Sequence, residues 1–115
     1  MALYEIEVEH IENAMDDFLG RIRPPANVRS QLDFTYRLEG QSIKIFEVRP
    51  QWMNPEKKTE ISFAKVTFVK NQGIWEAYWR RDDGKWHRYD PNAKVKTLKD
   101  ILSIIENDEY GCFFG

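Results

Sequence analysis

The chain has 115 residues, of which 42% are hydrophobic and 14% aromatic, and its formal net charge at pH 7 is −2. This length is that of one domain, and the apolar content excludes an intrinsically disordered chain. The single cysteine, Cys112, excludes an intrachain disulfide and fits a reducing compartment. No apolar run approaches the roughly 20 residues of a membrane-spanning helix, and the first residues lack the basic and apolar regions of a signal peptide. We therefore expect a single domain, residues 1–115, located in the cytoplasm and without a membrane partner.

Charge is distributed unevenly along the chain. All 17 Lys and Arg residues lie between positions 21 and 99, together with nine of the 19 Asp and Glu residues, so this segment carries a formal charge of +8. The two ends are acidic. Such an asymmetry indicates an anionic partner for the basic middle of the chain.

The first predicted element is an amphipathic helix. Apolar residues recur at three- and four-residue steps from Tyr4 to Ile22, which is one stripe of a 3.6-residue period. Gly20 and then Pro24-Pro25 mark its end, because proline cannot continue the helical hydrogen bonds. Residues 25–31 form a short connector.

Five strands are predicted next. Apolar and polar residues alternate from Leu32 to Glu39, which is the pattern of a half-buried strand. The other strands are predicted at residues 42–49, 59–70, 74–82 and 85–90, with loops at 50–58 and 91–96. Two-residue turns are assigned to Gly40-Gln41, Gln72-Gly73 and Asp83-Gly84.

A second helix is predicted from Thr97, whose hydroxyl can cap it, with Asp100 three residues further on. Gly111 suits a left-handed residue after the helix end, and the apolar tail that contains Phe113-Phe114 is expected to dock. The helix itself has an apolar stripe of Leu98, Ile101, Leu102 and Ile105. The order of helix, five-stranded meander and helix predicts an α+β fold with an antiparallel sheet and both helices on one face.

The predicted turns determine which residues lie opposite one another, and directly opposed residues share a face of the sheet. The core face is predicted to hold Leu32, Phe34, Tyr36, Leu38, Ile43, Ile45, Ala64, Val66, Phe68, Trp75, Ala77, Trp79 and Trp86. The other face is predicted to hold Arg37, Lys44, Phe46, Phe63, Lys65, Thr67, Tyr78, Arg80, His87 and Tyr89. This register sets Lys65, Arg80 and His87 side by side. A one-residue shift in a hairpin would exchange the two faces of a strand.

The second of these faces is the candidate binding surface. Lys and Arg side chains can meet phosphates while bases stack on aromatic rings. The alternative is a solvated polar face whose phenylalanines, Phe46 and Phe63, are covered by the connector or by a partner subunit. The predicted ligand-binding residues are Arg37, Lys44, Lys65, Tyr78, Arg80, His87 and Tyr89.

No motif of high chemical specificity is present. The sequence has no Gly-rich phosphate loop, dinucleotide fingerprint or nucleophile elbow, so we predict no catalytic residue and no cofactor. Two histidines and one cysteine are too few and too unpatterned for a metal site. Cys112 is interpreted as a small buried hydrophobe. Glu47, near Arg49, is interpreted as one half of an ion pair that ties the sheet to a helix or loop, with an acid–base role as the alternative.

Three functions remain open on these residues. The leading hypothesis is a non-catalytic binding module for RNA or single-stranded DNA. The second is a protein–protein module or homodimer that uses the same face and the apolar tail. The third is a small enzyme that uses Glu47 and His87, which the predicted register places on opposite faces.

Several runs of residues together resemble a known family. They are YRLEGQS at 36–42, FEVRPQW at 46–52, AKVTFVK at 64–70, WRRD at 79–82, KWHRY at 85–89 and the terminal GCFFG. The set is similar to that of small bacterial proteins grouped as a domain of unknown function, from about Asp17 onward. The resemblance implies a bacterial origin and a complete, stand-alone protein, and it implies no activity or catalytic residue. Asp83-Gly84 departs from the family pattern, which has a Leu-type residue after the acid.

Overall fold

The structure, a computed structural model, describes residues 5–89 and 94–114, with side chains from Val8 onward. The helix start predicted at Tyr4, the strand end predicted at Asp90 and the terminal Gly115 lie outside the described residues. The elements in chain order are α1 (Glu5–Ile22), β1 (Asp33–Glu39), β2 (Ser42–Pro50), β3 (Lys58–Val69), β4 (Ile74–Arg80), β5 (Trp86–Arg88), β6 (Lys94–Val95) and α2 (Leu98–Asn107). The predicted α+β fold, with an antiparallel sheet between an N-terminal and a C-terminal helix, is confirmed.

The sheet has the strand order β1-β2-β3-β4-β5, and every pairing between described strands is antiparallel. The short strand β6 lies in the segment predicted as a loop. It pairs with the first part of β4, where Trp75 faces Val95, while β5 pairs with the last part. Strands β5 and β6 together form one edge of the sheet, and β1 forms the other.

Both helices pack on one face of the sheet, because each carries one apolar stripe. Within α1, Ile11, Met15 and Phe18 are buried, and the predicted stripe of α2 is buried as well. They meet the sheet residues Ile43, Ile45, Ala64, Val66, Trp75 and Ala77 in one core. The amide of Asp100 donates to Thr97 Oγ1 at 3.1 Å, so the predicted cap of α2 is present. No helix in the described ranges is both long and apolar enough to cross a membrane.

The register of the first hairpin is as predicted. Arg37 faces Lys44 and Tyr36 faces Ile45 across the Gly40-Gln41 turn, where Gly40 has a positive φ of 59°. The hairpin between β3 and β4 differs, because its loop comprises four residues, 70–73, rather than two. Lys65 therefore faces Tyr78 instead of Arg80. A shift of two residues keeps each side chain on its predicted face.

The hairpin between β4 and β5 is shifted by one residue, and this exchanges the faces of β5. Its loop comprises residues 81–85 and is closed by Asp83 Oδ1, which accepts the Lys85 amide at 2.9 Å, and by Gly84 at φ 75°. Trp79 consequently faces His87, and Arg80 faces Trp86. The predicted placement of Trp86 in the core was therefore wrong, as was that of His87 and Tyr89 on the face away from the helices. Tyr89 is 1% exposed in the core, beside Phe113.

A β-bulge in β3 moves Phe63 to the core face, contrary to its predicted position. Ile45 faces Ala64, but the next residue, Phe46, faces Ser62, so Phe63 has no opposed partner. Its ring lies 5.2 Å from that of Phe114 and 5.8 Å from that of Phe34. The apolar tail is thus docked, as expected. Asp108 holds it there, because its carboxylate accepts the amides of Phe113 and Phe114 at 2.9 and 2.8 Å.

Candidate functional site

The face of the sheet away from the two helices, hereafter the outer face, combines basic and aromatic side chains. Its membership follows from the observed strand pairings. The outer face carries the basic residues Arg37, Lys44, Lys58, Lys65, Arg80, Arg88 and Lys94, the acidic residues Asp33, Glu39, Glu60 and Glu76, and the aromatic residues Phe46, Tyr78 and Trp86. Neither described helix covers it.

One row of opposed residues crosses the whole outer face. Successive pairings connect Arg37, Lys44, Lys65, Tyr78 and Arg88, one from each of the strands β1 to β5. We refer to these five as the basic row. At about 4.8 Å between neighbouring strands, the row is about 19 Å long. Like charges set side by side cost stability, so an alignment of cations with no internal acid is not what packing alone would select.

Acidic residues on either side neutralise the ends of the basic row. Arg37 pairs with Glu60, Lys44 Nζ lies 2.8 Å from Glu39, and Arg88 Nη1 lies 3.3 Å from Glu76. One partner of each pair is about half exposed, although Glu76 is only 12% exposed, and ion pairs with such access to solvent contribute little to stability. Lys65, at the centre of the row, has no carboxylate within ion-pair distance among the described residues.

Lys65 and its neighbour Arg80 lie instead against aromatic rings. Lys65 Nζ is 4.8 Å from the ring centre of Tyr78 and 5.1 Å from that of Trp86. Arg80 Cζ is 5.2 Å from the centre of the Trp86 ring, and Arg80 Nη1 donates to Ser62 Oγ at 3.0 Å. A cation over an aromatic face is stabilised by about 0.5–2 kcal/mol. Each ring of this cluster therefore holds a cation in a defined place.

The electrostatic environment of Lys65 is unfavourable to its own charge. Partial burial lowers the pKa of Lys65, the positive charge of Lys44 lowers it further, and Glu39 partly opposes both effects. An ammonium group in such surroundings is poorly hydrated and repelled by its neighbour. An anion bound beside Lys65 would reduce both costs.

The structure brings together five of the seven residues predicted to bind a ligand. Arg37, Lys44, Lys65 and Tyr78 belong to the basic row, and Arg80 lies next to it. His87 and Tyr89 do not join them, since they lie on the core side of β5. Trp86 and Arg88 take their places on the outer face. The sequence feature that could have predicted these two residues is the run of polar residues from 81 to 85. This run is long enough for a five-residue loop in place of a two-residue turn.

His87 lies in a cleft of about 610 Å³ at the β5 edge. The cleft is lined also by Trp79, Arg81 and Cys112, and by Tyr78 and Arg88 of the basic row. Its Nε2 is 2.9 Å from Asp83 Oδ2. The pKa of Asp83 is lowered, chiefly because it accepts the Lys85 amide and also through His87. Burial and then Asp108 raise the pKa of the Cys112 thiol, which is the opposite of what activates a nucleophilic cysteine.

The residues of the hypothetical enzyme do not share a cleft. Glu47 pairs with Arg49 of the same strand, β2, so this ion pair does not join the sheet to a helix or loop. The corrected register places His87 on the same side of the sheet as Glu47 but three strands away and offset along the strands, which is more than about 14 Å between backbones. The described residues also contain no group of three or more His, Cys, Asp or Glu side chains that could hold a metal ion.

Comparison with known proteins gives the family but no activity. The profile of a family described as a domain of unknown function, DUF3024, matches residues 3–115. The chain therefore belongs to the DUF3024 family. No curated protein and no solved structure is significantly similar to it.

Proposed function

We propose that this member of the DUF3024 family is a non-catalytic binding module for single-stranded nucleic acid, and that the outer face of its sheet is the binding surface. One observation carries the proposal. Lys65 and Arg80 both contact the ring of Trp86 on the face that neither described helix covers, and neither has a carboxylate partner in the described part of the chain.

The charge of the outer face suits a polyanion. Lys65 is already partly desolvated and is repelled by Lys44, so a phosphate that binds there meets cations that are weakly hydrated. Hydrogen bonds between a cationic donor and a phosphate oxygen are shorter and roughly twice as strong as those between neutral groups. Lys44 and Arg37 could exchange their exposed carboxylate partners for further phosphates at little cost, because such ion pairs are weak.

The shape of the outer face suits a single strand rather than a duplex. An open sheet with aromatic side chains between cations offers rings on which unpaired bases stack, at about 1–3 kcal/mol per base. A duplex hides its base faces, and reading it requires an element that enters a groove. The described part of this chain presents strands and no helix on this side.

A cytoplasmic location belongs to the same proposal. Cys112 is half-buried and has no cysteine partner, since it is the only cysteine of the chain. A free thiol of this kind fits a reducing compartment, which is also where single-stranded RNA is abundant.

The proposal is tested by binding of a labelled random single-stranded oligonucleotide, followed by fluorescence anisotropy. We expect the double variant Lys65→Glu/Arg80→Glu to bind at least about tenfold more weakly than the wild type, because two phosphate contacts become repulsive. The matched control is Lys96→Glu/Lys99→Glu, which reverses two exposed charges just before and within α2, on the helix side of the sheet.

The two double variants separate a local site from a general charge effect. Equal losses of affinity in both would mean that the overall charge of the chain governs binding. Unchanged affinity in Lys65→Glu/Arg80→Glu would overturn the proposed site, provided that circular dichroism shows both variants to be folded.

A further inference from the structure

The loop that joins β2 to β3, residues 51–57, exposes two large apolar side chains. Trp52 is 90% exposed and Met53 is 81% exposed. Single exposed apolar residues are common on protein surfaces, but a tryptophan this exposed leaves nearly its whole ring in water. Trp52 therefore contributes almost nothing to the described core.

The β2–β3 loop is nevertheless ordered by its own hydrogen bonds. The amide of Gln51 donates to the carbonyl of Lys57 at 2.9 Å, and the amide of Lys57 donates to the carbonyl of Asn54 at 3.0 Å. Lys58 Nζ donates to the carbonyl of Ser30 at 2.6 Å and thereby ties the base of the loop to the connector before β1. Because these hydrogen bonds order the backbone of the loop, Trp52 is exposed to solvent from a defined position.

The surroundings of Trp52 contain groups that recognise a nucleotide. A cleft of about 530 Å³ beside the ring is lined by Gln31, Arg49, Gln51 and Lys58. Amide side chains such as Gln can donate to and accept from the edges of bases. Lys57 is exposed, and it has no ion-pair partner among the described residues. The site thus offers a ring, polar groups and positive charge together.

The position of the β2–β3 loop continues the outer face. Lys58, Ser62 and Lys65 all point to the outer face of β3, in that order from the loop. Lys65 and Lys58 lie opposite Lys44 and Pro50 of β2, which are six positions apart, or about 20 Å along a strand at about 3.3 Å per residue. A single strand that lies along β3 over Lys65 and Arg80 therefore arrives at the β2–β3 loop, which carries Trp52.

We infer that Trp52 stacks on a base of the same single strand that the outer face binds, so that the chain holds its ligand at two places along β3. This inference rests on the proposed function. Lys65 and Arg80 take phosphates at one end, and Trp52 takes an unpaired base at the other, with Lys57 of the same loop for a further phosphate. Glu60, which pairs with Arg37, lies between the two places on β3.

The test is a series of oligothymidines of increasing length, from about 3 to about 12 nucleotides, measured by anisotropy with the whole chain. A short oligonucleotide cannot reach both places, whereas a long one can. We expect Trp52→Ala to lower the affinity for the long oligonucleotides about tenfold and to leave that for the shortest unchanged. Trp52→Phe, which keeps a stacking ring, should retain most of the affinity.

The matched control is Tyr110→Ala, which removes another exposed ring, 62% exposed and located in the tail after α2. This variant should have the same affinity as the wild type for oligothymidines of every length tested. If Trp52→Ala binds the long oligonucleotides as tightly as the wild type while Lys65→Glu/Arg80→Glu does not bind them, the inference about Trp52 is wrong and the proposed function stands. If the wild type binds none of the oligonucleotides at low salt, both are wrong.

Discussion

Trp86 is the side chain that positions the cations at the centre of the outer face. It lies opposite Arg80 at the end of β4 and holds both Arg80 and Lys65 against its ring. A tryptophan offers the strongest aromatic surface for a cation, and its ring is also a stacking surface for a base. At the residue scale, the site is therefore a set of cations oriented by an aromatic ring rather than a general excess of charge.

The neighbouring residues Trp86 and His87 provide a sharp test, because they point to opposite sides of β5. We expect Trp86→Ala to lower the affinity for a single-stranded oligonucleotide about tenfold, since it removes a stacking ring and frees the two cations from their fixed positions. His87→Ala should leave the affinity unchanged at pH 7. Fluorescence anisotropy measures both. A loss of binding in His87→Ala as large as that in Trp86→Ala would contradict the observed register of β5.

The sequence alone could not predict which face of β5 is buried. Alternate residues from Trp86 to Tyr89 lie on opposite faces, but the pattern does not show whether Trp86 and Arg88 or His87 and Tyr89 face the core. That depends on whether the loop has two residues or five, and the bond from the Lys85 amide to Asp83 favours the longer loop. Lys44 and Lys65 were predicted on the correct face. The register of the first hairpin was predicted correctly, and that of the β3–β4 hairpin was wrong by two residues, which leaves every side chain on the same face.

Whole elements were easier to predict where local signals agreed. Both helices follow from their apolar stripes, and α2 also from its Thr97 cap. The bulge at Phe63 could not be predicted in this way, because it depends on Phe114, which lies 51 positions later in the chain and occupies the core side of β3. A contact between distant segments leaves no local pattern.

The connection between α1 and β1 carries a pH-dependent contribution to stability. The guanidinium of Arg23, just after α1, donates twice to the carboxylate of Asp33 at the start of β1, at 2.7 Å each. This bidentate pair lowers the pKa of Asp33 below its usual 3.8, against the opposing effect of burial. A lowered carboxyl pKa stabilises the fold above the unfolded value, and that stabilisation is lost as the pH falls through the folded value.

We therefore expect Asp33→Asn to lower the free energy of unfolding by about 1 kcal/mol at pH 7, a modest effect because the pair is partly exposed. The difference from the wild type should shrink as the pH falls through the lowered pKa of Asp33, because the wild-type carboxyl is then also protonated. Urea denaturation at pH 7 and at an acidic pH below that pKa measures this. Asp82→Asn, an exposed acid in the β4–β5 loop, is the control. A difference that is equally large at both pH values would refute the assigned ion pair.

At the scale of the molecule, acidic residues predominate on the helix side of the sheet and basic residues predominate on the outer face. The exposed acids Glu9, Glu12, Asp16 and Asp17 lie on α1, while the basic row lies on the outer face behind the sheet. The net charge of −2 therefore conceals a dipolar arrangement. Such an arrangement steers a polyanion toward the outer face and away from the helices, and salt weakens the effect.

The same separation distinguishes nucleic acid from a second copy of the chain as the occupant of the outer face. Two outer faces brought together would oppose one basic row with another, which repels. Light scattering across concentrations should therefore show a monomer at low salt. A stable dimer that is lost in Lys65→Glu/Arg80→Glu would show that the face serves self-association instead.

A salt titration of binding to a random single-stranded oligonucleotide tests most directly whether the outer face binds single-stranded nucleic acid. Each phosphate that the protein neutralises contributes about 0.7 to the slope of log affinity against log salt concentration. We predict a steep slope for the wild type, reduced by about 1.4 in Lys65→Ala/Arg80→Ala, since two phosphate contacts are removed. Absence of binding by the wild type at low salt, or a slope that does not change in the double variant, would contradict the account.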